Sequence, residues 1–242
     1  MSDKESAPTT EHARRVREMF ATIAARYDLL NHLLSGNIDK RWRRSVAKAL
    51  FGTLSEPGAR ILDVACGTGD LSLTLFEAGE AKIVGLDFCR PMLDIAQSKA
   101  AKSDVELPFV EGDALDLPFR DGSFEAATIA FGMRNLVSVE AGFKELLRVL
   151  KPGGRVAVLE FSRPSAPLLR SLFRVYFTRV LPLFGGLISG SKSAYQYLPD
   201  SVSRFPDQSE LASLMKEAGF VEISFQNLTG GIAALHTGTR PL

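Results

Sequence analysis

The chain has 242 residues with no Pro/Ser-rich linker and no internal repeat, which predicts a single domain with additions and argues against a tandem architecture. Two cysteines without metal-type spacing, and no secretory leader, predict reduced thiols in a cytoplasmic protein; His12, His32 and His236 are too scattered to suggest a metal centre. The formal net charge is +1, but residues 11–48 hold nine Lys/Arg against four Asp/Glu and residues 161–204 hold six against one, so two basic surfaces flank an acidic middle.

In chain order, the first expected element is a helix from about residue 11, whose Arg14, Arg15 and Arg17 suit a lid or a contact with anionic lipid. A strand over 60–65 then opens into Gly67-Thr68-Gly69, followed by a helix over 70–78. Glycines there remove the Cβ atoms that would hold a ligand off the backbone, and the free N–H groups of the next helix point into the same space. A second strand over 82–86 ends at Asp87, about 20 residues on, in position to accept hydrogen bonds from two ribose hydroxyls. These features point to a nucleotide-like cofactor. Ser72 occupies the third-glycine place of a dinucleotide fingerprint, which disfavours NAD. Asp63, inside the first strand, suits loop amides or the ammonium of an amino-acid-like ligand, and S-adenosylmethionine answers that description.

Further along, a helix over 90–102 and a strand over 107–111 lead to Gly112-Asp113-Ala114, where Asp113 could meet an adenine amino group. A strand over 124–130 and a helix over 138–150 precede the stop Lys151-Pro152-Gly153-Gly154 and a strand over 154–161. Residues 168–179 pattern as an amphipathic helix with Arg170, Ser171, Arg174 and Thr178 on one arc, leaving an apolar face to cover a substrate or rest on lipid. Its arginines, with Pro182 and Gly185-Gly186 beyond, exclude a membrane span. A helix over 208–218 and strands near 221–227 and 232–237 complete the chain. Alternating strands and helices imply a doubly wound sheet with Asp63, Asp87, Asp113, Ala130 and Glu160 along one rim. The basic stretches carry no stacking module or recognition motif for nucleic acid.

Asp63 to Asp70, Asp87, Gly112-Asp113-Ala114, Leu117-Pro118-Phe119 and Leu150 to Gly154 together resemble the class I S-adenosylmethionine-dependent methyltransferases. Tyr27 to Ser35 with Trp42-Arg43, Phe131 to Leu136, Leu159 to Ser162, Ala194 to Leu198 with Phe205-Pro206, and Gly230 to Gly238 resemble more narrowly the ubiquinone/menaquinone biosynthesis C-methyltransferases, over about residues 16 to 240. The resemblance implies a class I methyltransferase fold: a Rossmann-like, mostly parallel seven-stranded sheet with an antiparallel C-terminal strand. It also implies an N-terminal helical lid over about 11–50 and a helical substrate-side insertion over about 165–205. It implies methylation of a ring carbon of a polyprenylated quinol, demethylmenaquinol or its ubiquinone-pathway counterpart, with peripheral membrane contact and a homodimer left open. Cofactor contacts are expected from Asp63, Gly67, Thr68, Gly69, Asp87, Asp113, Ala114 and the backbone of Ala130, which stands where some relatives carry serine. Gly36-Asn37 departs from the aromatic-glycine pair that many members place after Ser35.

Ring-carbon methylation needs an electron-rich ring, so the acceptor should be the quinol with one hydroxyl ionised or nearly so. Arg134 is expected to stabilise that oxyanion and Asn135 to orient it or a water. Tyr195 and His236 are the candidate bases, with Glu160 at a strand end and an activated water as competitors. Another small aromatic or lipid acceptor, a nicotinamide-dependent reductase and a non-catalytic S-adenosylmethionine sensor are the alternative functions.

Overall fold

Ile61-Leu62-Asp63-Val64 is buried along its whole length, as a strand covered on both faces must be. It forms an interior strand in the computed structural model, which describes residues 11–164, 166–176 and 192–242. Seven strands are formed: β1 (Arg60–Val64), β2 (Lys82–Asp87), β3 (Phe109–Glu111), β4 (Phe124–Ala130), β5 (Leu150–Phe161), β6 (Val221–Leu228) and β7 (Ala233–Thr239). Their order is β3-β2-β1-β4-β5-β7-β6, with β7 antiparallel to both neighbours and the other pairs parallel. The expected mostly parallel seven-stranded sheet is therefore present.

The helices that follow the strands are α4 (Asp70–Glu77), α5 (Arg90–Lys102), α6 (Val139–Val149) and α9 (Gln208–Glu217). Residues alternate between two cores: Ile61, Ala126, Ala157 and Leu159 pack on one face, while Leu62, Ala127, Val156 and Val158 pack on the other. Two helix starts, those of α6 and α9, are fixed by side chains. Ser138 accepts from the Ala141 amide, and Asp207 accepts from Ser209 and Glu210 while Glu210 reaches back, a complete capping box.

Two boundaries differ from the sequence pattern. β5 begins at Leu150 instead of 154, because Gly153, at φ +76°, donates its amide to Arg240 and carries the strand through the glycine pair. β3 is only three residues, since Pro108 precedes it and has no amide for the ladder.

Three helices precede the sheet: α1 (Glu11–Ser35), α2 (Ile38–Ala49) and α3 (Phe51–Leu54), the last lying at the amino ends of the strands, where the Leu54 carbonyl accepts from Glu80 and Ala81 ahead of β2. Gly36 and Asn37, both near φ +60°, turn α1 sharply into α2. Two helices of the later insertion are described, α7 (Pro167–Val175) and α8 (Lys192–Arg204), and Phe173, Tyr176 and Leu198 pack with Met19, Ile23 and Tyr27 of α1. Of the amphipathic segment expected over 168–179, residues 177–179 lie outside the described residues; Leu172 and Val175 are exposed.

Gly79, between α4 and β2, meets backbone directly: a Cβ there would lie 2.2 Å from the Leu54 carbonyl oxygen. Gly79→Ala is expected to cost about 3 kcal/mol and lower the melting temperature by roughly 6–12 °C, read by thermal unfolding.

Candidate active site

The loop after β1 is held in an unusual backbone conformation, with Ala65, Gly67 and Gly69 all at positive φ (51°, 55° and 81°). A Cβ at Gly67 would meet nothing within 4 Å, so its backbone faces open space, whereas one at Gly69 would press on Ala96 and Phe109. Across the strand-order reversal, Phe131 after β4 is also at positive φ (57°), and a Cβ on Gly132 would lie 2.6 Å from that of Ala65. Two strained loops thus abut where an α/β sheet binds ligands.

Asp87 organises this loop. Its carboxylate accepts from the Gly67 amide at 2.8 Å and the Cys89 amide at 2.9 Å, and burial pushes its pKa up to about 6 against those bonds. Asp63 behaves differently from the expectation that it would meet loop amides or a ligand. At 1% exposure, its oxygens take Ser72 Oγ at 2.6 Å and Thr128 Oγ1 at 2.9 Å, and burial raises it to about 6. It ties α4 and β4 to β1, and Ser72, the residue that breaks the dinucleotide pattern, is its donor. Burial, with Asp63 and Asp87 nearby, drives the Cys66 thiol well above its ordinary range, so it is held as an inert thiol.

The remaining expected cofactor residues divide. Asp113 is exposed and folds back to accept from the Leu115 amide at 2.9 Å, while Ala114 is buried and Ala130 ends β4, half-buried, beside the cleft. Thr68 is covered by α1, its hydroxyl donating to Asp28 at 2.5 Å. Asp28 also takes Lys99 at 2.9 Å, and Lys99 contacts Asp70 at the start of α4. Beside them Ala24, Phe20 and Tyr27 pack on Phe88, Cys89 and Met92, and Arg17 lies over the Phe88 ring at 5.4 Å. α1 therefore roofs the glycine turn.

Next to the turn lies a cavity of about 90 Å³, and none of its lining residues is exposed. Met19, Ile23, Trp42, Phe131 and Phe161 make it aromatic and apolar, and its polar groups sit at two places. One is Arg134 in the 3-10 turn Met133–Asn135. Its Nη1 binds both Glu160 oxygens at 3.0 and 2.9 Å and the Phe131 carbonyl at 2.6 Å, with side-chain exposures of 6% and 2% for the ion pair. Nε is buried without a partner, and the guanidinium stands over the Phe161 ring at 5.3 Å. Burial raises the Glu160 carboxyl and Arg134 opposes it. Asn135 donates to the Phe131 carbonyl at 3.3 Å and accepts from the Tyr197 hydroxyl at 3.2 Å. Burial raises both Tyr27 and Tyr197 above the ordinary phenol range.

The second polar place is Ser35, Asp39 and Arg43. Because the left-handed pair Gly36-Asn37 reverses the chain, His32 and Asp39, seven residues apart, meet at 2.8 Å. Ser35 donates to the other Asp39 oxygen at 2.7 Å, and Arg43 reaches both Asp39 (2.5 Å) and Asp70 (3.3 Å). Burial would raise Asp39, but the Ser35 hydroxyl and Arg43 outweigh it and hold the carboxyl below its usual range. His32, Asp39 and Asp70 bring possible ligand atoms within 4.8 Å, yet Arg43 and Lys99 already balance those carboxylates, so the group is an ionic network.

Of the two candidate bases, Tyr195 has a side chain outside the described residues. Tyr197 lines the cavity; the half-buried Leu198 with the buried Ser201, Val202 and Phe205 at helical spacing is the signal that selects it. His236 is not brought to the cavity. It pairs across the sheet with Val158 and Phe225, and its Nε2 contacts the Gln208 carbonyl at 2.9 Å under α9. Burial lowers its pKa, so the folded state keeps it neutral where an unfolded chain would bind a proton. Its contribution is complete above about pH 6.5 and is lost as pH falls. His236→Gln is expected to flatten the acid side of the stability-pH curve by up to about 1.4 kcal/mol per pH unit, measured by denaturant unfolding.

A sequence profile of the ubiE/COQ5 methyltransferase family matches residues 8–240. The demethylmenaquinone methyltransferase of Thermus thermophilus is 53% identical over 224 residues, covering 92% of this chain and 100% of that protein. The ubiquinone/menaquinone biosynthesis C-methyltransferase UbiE of Geobacter sulfurreducens is 45% identical, covering 96% and 91%. Among solved structures, the cyclase SpnF aligns with a TM-score of 0.70 at 19% identity over 95% of this chain and 96% of its own. A possible histamine N-methyltransferase of Thermotoga maritima aligns at 0.63 and 23% over 92% and 99%. At such identities these two speak for the fold alone.

Proposed function

The chain belongs to the ubiE/COQ5 methyltransferase family, and from that premise we propose that it methylates a ring carbon of demethylmenaquinol with S-adenosylmethionine. Methyl transfer in menaquinone and ubiquinone biosynthesis follows from the relatives at 41–53% identity; menaquinone is favoured because the 53% and 46% relatives are both named demethylmenaquinone methyltransferases. The single observation that carries the reading is Arg134, oriented by Glu160 at the wall of an aromatic cavity beside the glycine turn.

The donor's fit rests on the open backbone at Gly67 and on Asp87, whose carboxylate holds that loop and has remaining lone pairs for ribose hydroxyls. Bound there, S-adenosylmethionine supplies an electrophilic methyl group. Gly67 and Gly69 shape the cradle, and Asp28 of α1 closes over Thr68. In the adjoining cavity the flat ring packs among Phe131, Phe161 and Trp42. A phenol with pKa near 10 lies roughly 4 kcal/mol below its anion at neutral pH, and that gap must be narrowed for the ring to react. Among the described residues Arg134 spends its hydrogen bonds through Nη1, so Nη2 is left for that oxygen, and Asn135 with Tyr197 orients it or a bridging water.

No helix among the described residues is long and apolar enough to cross a membrane. The exposed Leu172 and Val175 of α7 beside Arg170 support a peripheral contact through which a prenylated acceptor reaches the cavity from the cytoplasmic side.

The test is a methyl-transfer assay with a demethylmenaquinone analogue offered reduced and oxidised, beside a ubiquinol precursor. Methylation of the reduced form and none of the oxidised form is expected. Equal use of both would remove the oxyanion from the mechanism, and preference for the ubiquinol precursor would reassign the substrate.

A further inference from the structure

Methylation of an aromatic carbon releases a proton. The sulfur–methyl bond breaks with its electron pair staying on sulfur, and a π pair of the ring forms the new carbon–methyl bond. The ring carbon's hydrogen then leaves as a proton while its bonding pair restores aromaticity. No electrons are exchanged with an outside partner, so each turnover must deliver one proton from an unexposed cavity to water.

We propose that His32, held by Asp39, carries that proton from the acceptor cavity to the surface groove between α2 and α4. This rests on the methyl-transfer reading above. Asp39 is the one carboxylate among the described residues lining the cavity, and Ser35, also in its wall, donates to it at 2.7 Å. His32 meets the opposite oxygen of Asp39 with Nδ1 at 2.8 Å, while its Nε2 looks toward Asp70 at 3.6 Å. His32 and Asp70 line the second space, a groove whose wall includes the exposed Lys40, Arg44 and Lys48. The Asp39–His32 contact is therefore the joint between a buried cavity and an open one.

The charges around the joint suit a hand-off. Asp39 and Arg43 face the imidazole from α2, and Asp70 faces it from α4; Lys99 of α5 and Asp28 of α1 join through Asp70. A carboxylate held ionised by a hydroxyl and a guanidinium has free lone pairs for a proton and passes it on instead of retaining it. The imidazole beyond it presents one nitrogen to Asp39 and the other toward Asp70, so it spans the two spaces. Two other expected acceptors are unavailable for this step. Glu160 is occupied by Arg134, and His236 lies across the sheet.

His32→Asn keeps a donor near the Nδ1 position but cannot relay a proton. It is expected to lower kcat about 10²-fold with the KM for the quinol and the S-adenosylmethionine affinity within about twofold, and to change the pH-rate profile. His32→Ala is expected to regain activity when imidazole is added, since the groove admits it, and melting curves establish that both variants fold. A role confined to holding α1 against α2 would give no imidazole response. Full-speed turnover of His32→Asn with an unaltered pH profile, or a loss in both variants that imidazole does not repair, overturns the relay and leaves the methyltransferase reading standing. Wild-type protein that methylates no quinol overturns both.

Discussion

Arg134→Ala is expected to lower kcat by about 10²–10³-fold while S-adenosylmethionine affinity changes by less than about threefold. The guanidinium is one of two fixed cations in the cavity wall, the other being Arg43, and removing it takes away a group aimed at developing negative charge. It also strands Glu160, 2% exposed at its side chain, without its counter-ion. A buried carboxylate left alone costs about 3–5 kcal/mol, so the variant is also expected to melt well below wild type. Adding Glu160→Gln separates the two effects. The double variant should recover much of the melting temperature and none of the turnover, measured by thermal unfolding and by methyl transfer at saturating donor. Full turnover in folded Arg134→Ala would eliminate it as the oxyanion's partner.

Asp87→Ala is expected to weaken S-adenosylmethionine binding by about 10²-fold or more, read by calorimetry, because hydrogen bonds to a charged group contribute about 1.5–3 kcal/mol each. The same change leaves the Gly67 and Cys89 amides without the acceptor that now shapes the loop. A pH effect follows with a definite sign. Burial raises the Asp87 carboxyl to about 6, so below that pH a proton takes one lone pair and donor affinity should fall. For stability the direction is opposite. The folded chain holds this proton more tightly than the unfolded one, so the group costs stability as pH rises from about 4 toward 6. Unchanged affinity in Asp87→Ala would refute the ribose contact.

Periodic features were legible from sequence. The strand ends, the crossover helices and the glycine turn follow from hydrophobic runs and from residues with only one structural use. Side-chain roles were less so, because a strand residue's chemistry depends on what the neighbouring strand and helix turn toward it. Asp63 was legible as a carboxylate beside the glycine turn, but its bonds to Ser72 and Thr128 were not. His236 looked suitable on residue type alone, but the antiparallel pairing of β7 puts it beneath α9. The His32–Asp39 contact was hidden for another reason: two consecutive left-handed residues bring together positions that neither helical nor strand spacing would pair. Tyr27 and Tyr197 required helix packing to reveal which face looks inward.

α1 takes part in two jobs at once, touching the glycine turn through Asp28 and walling the acceptor cavity through Met19, Ile23 and Tyr27. One helix therefore covers both halves of the site, and a substitution that loosens α1 is expected to disturb donor affinity and acceptor KM together, measured by calorimetry and by methyl transfer.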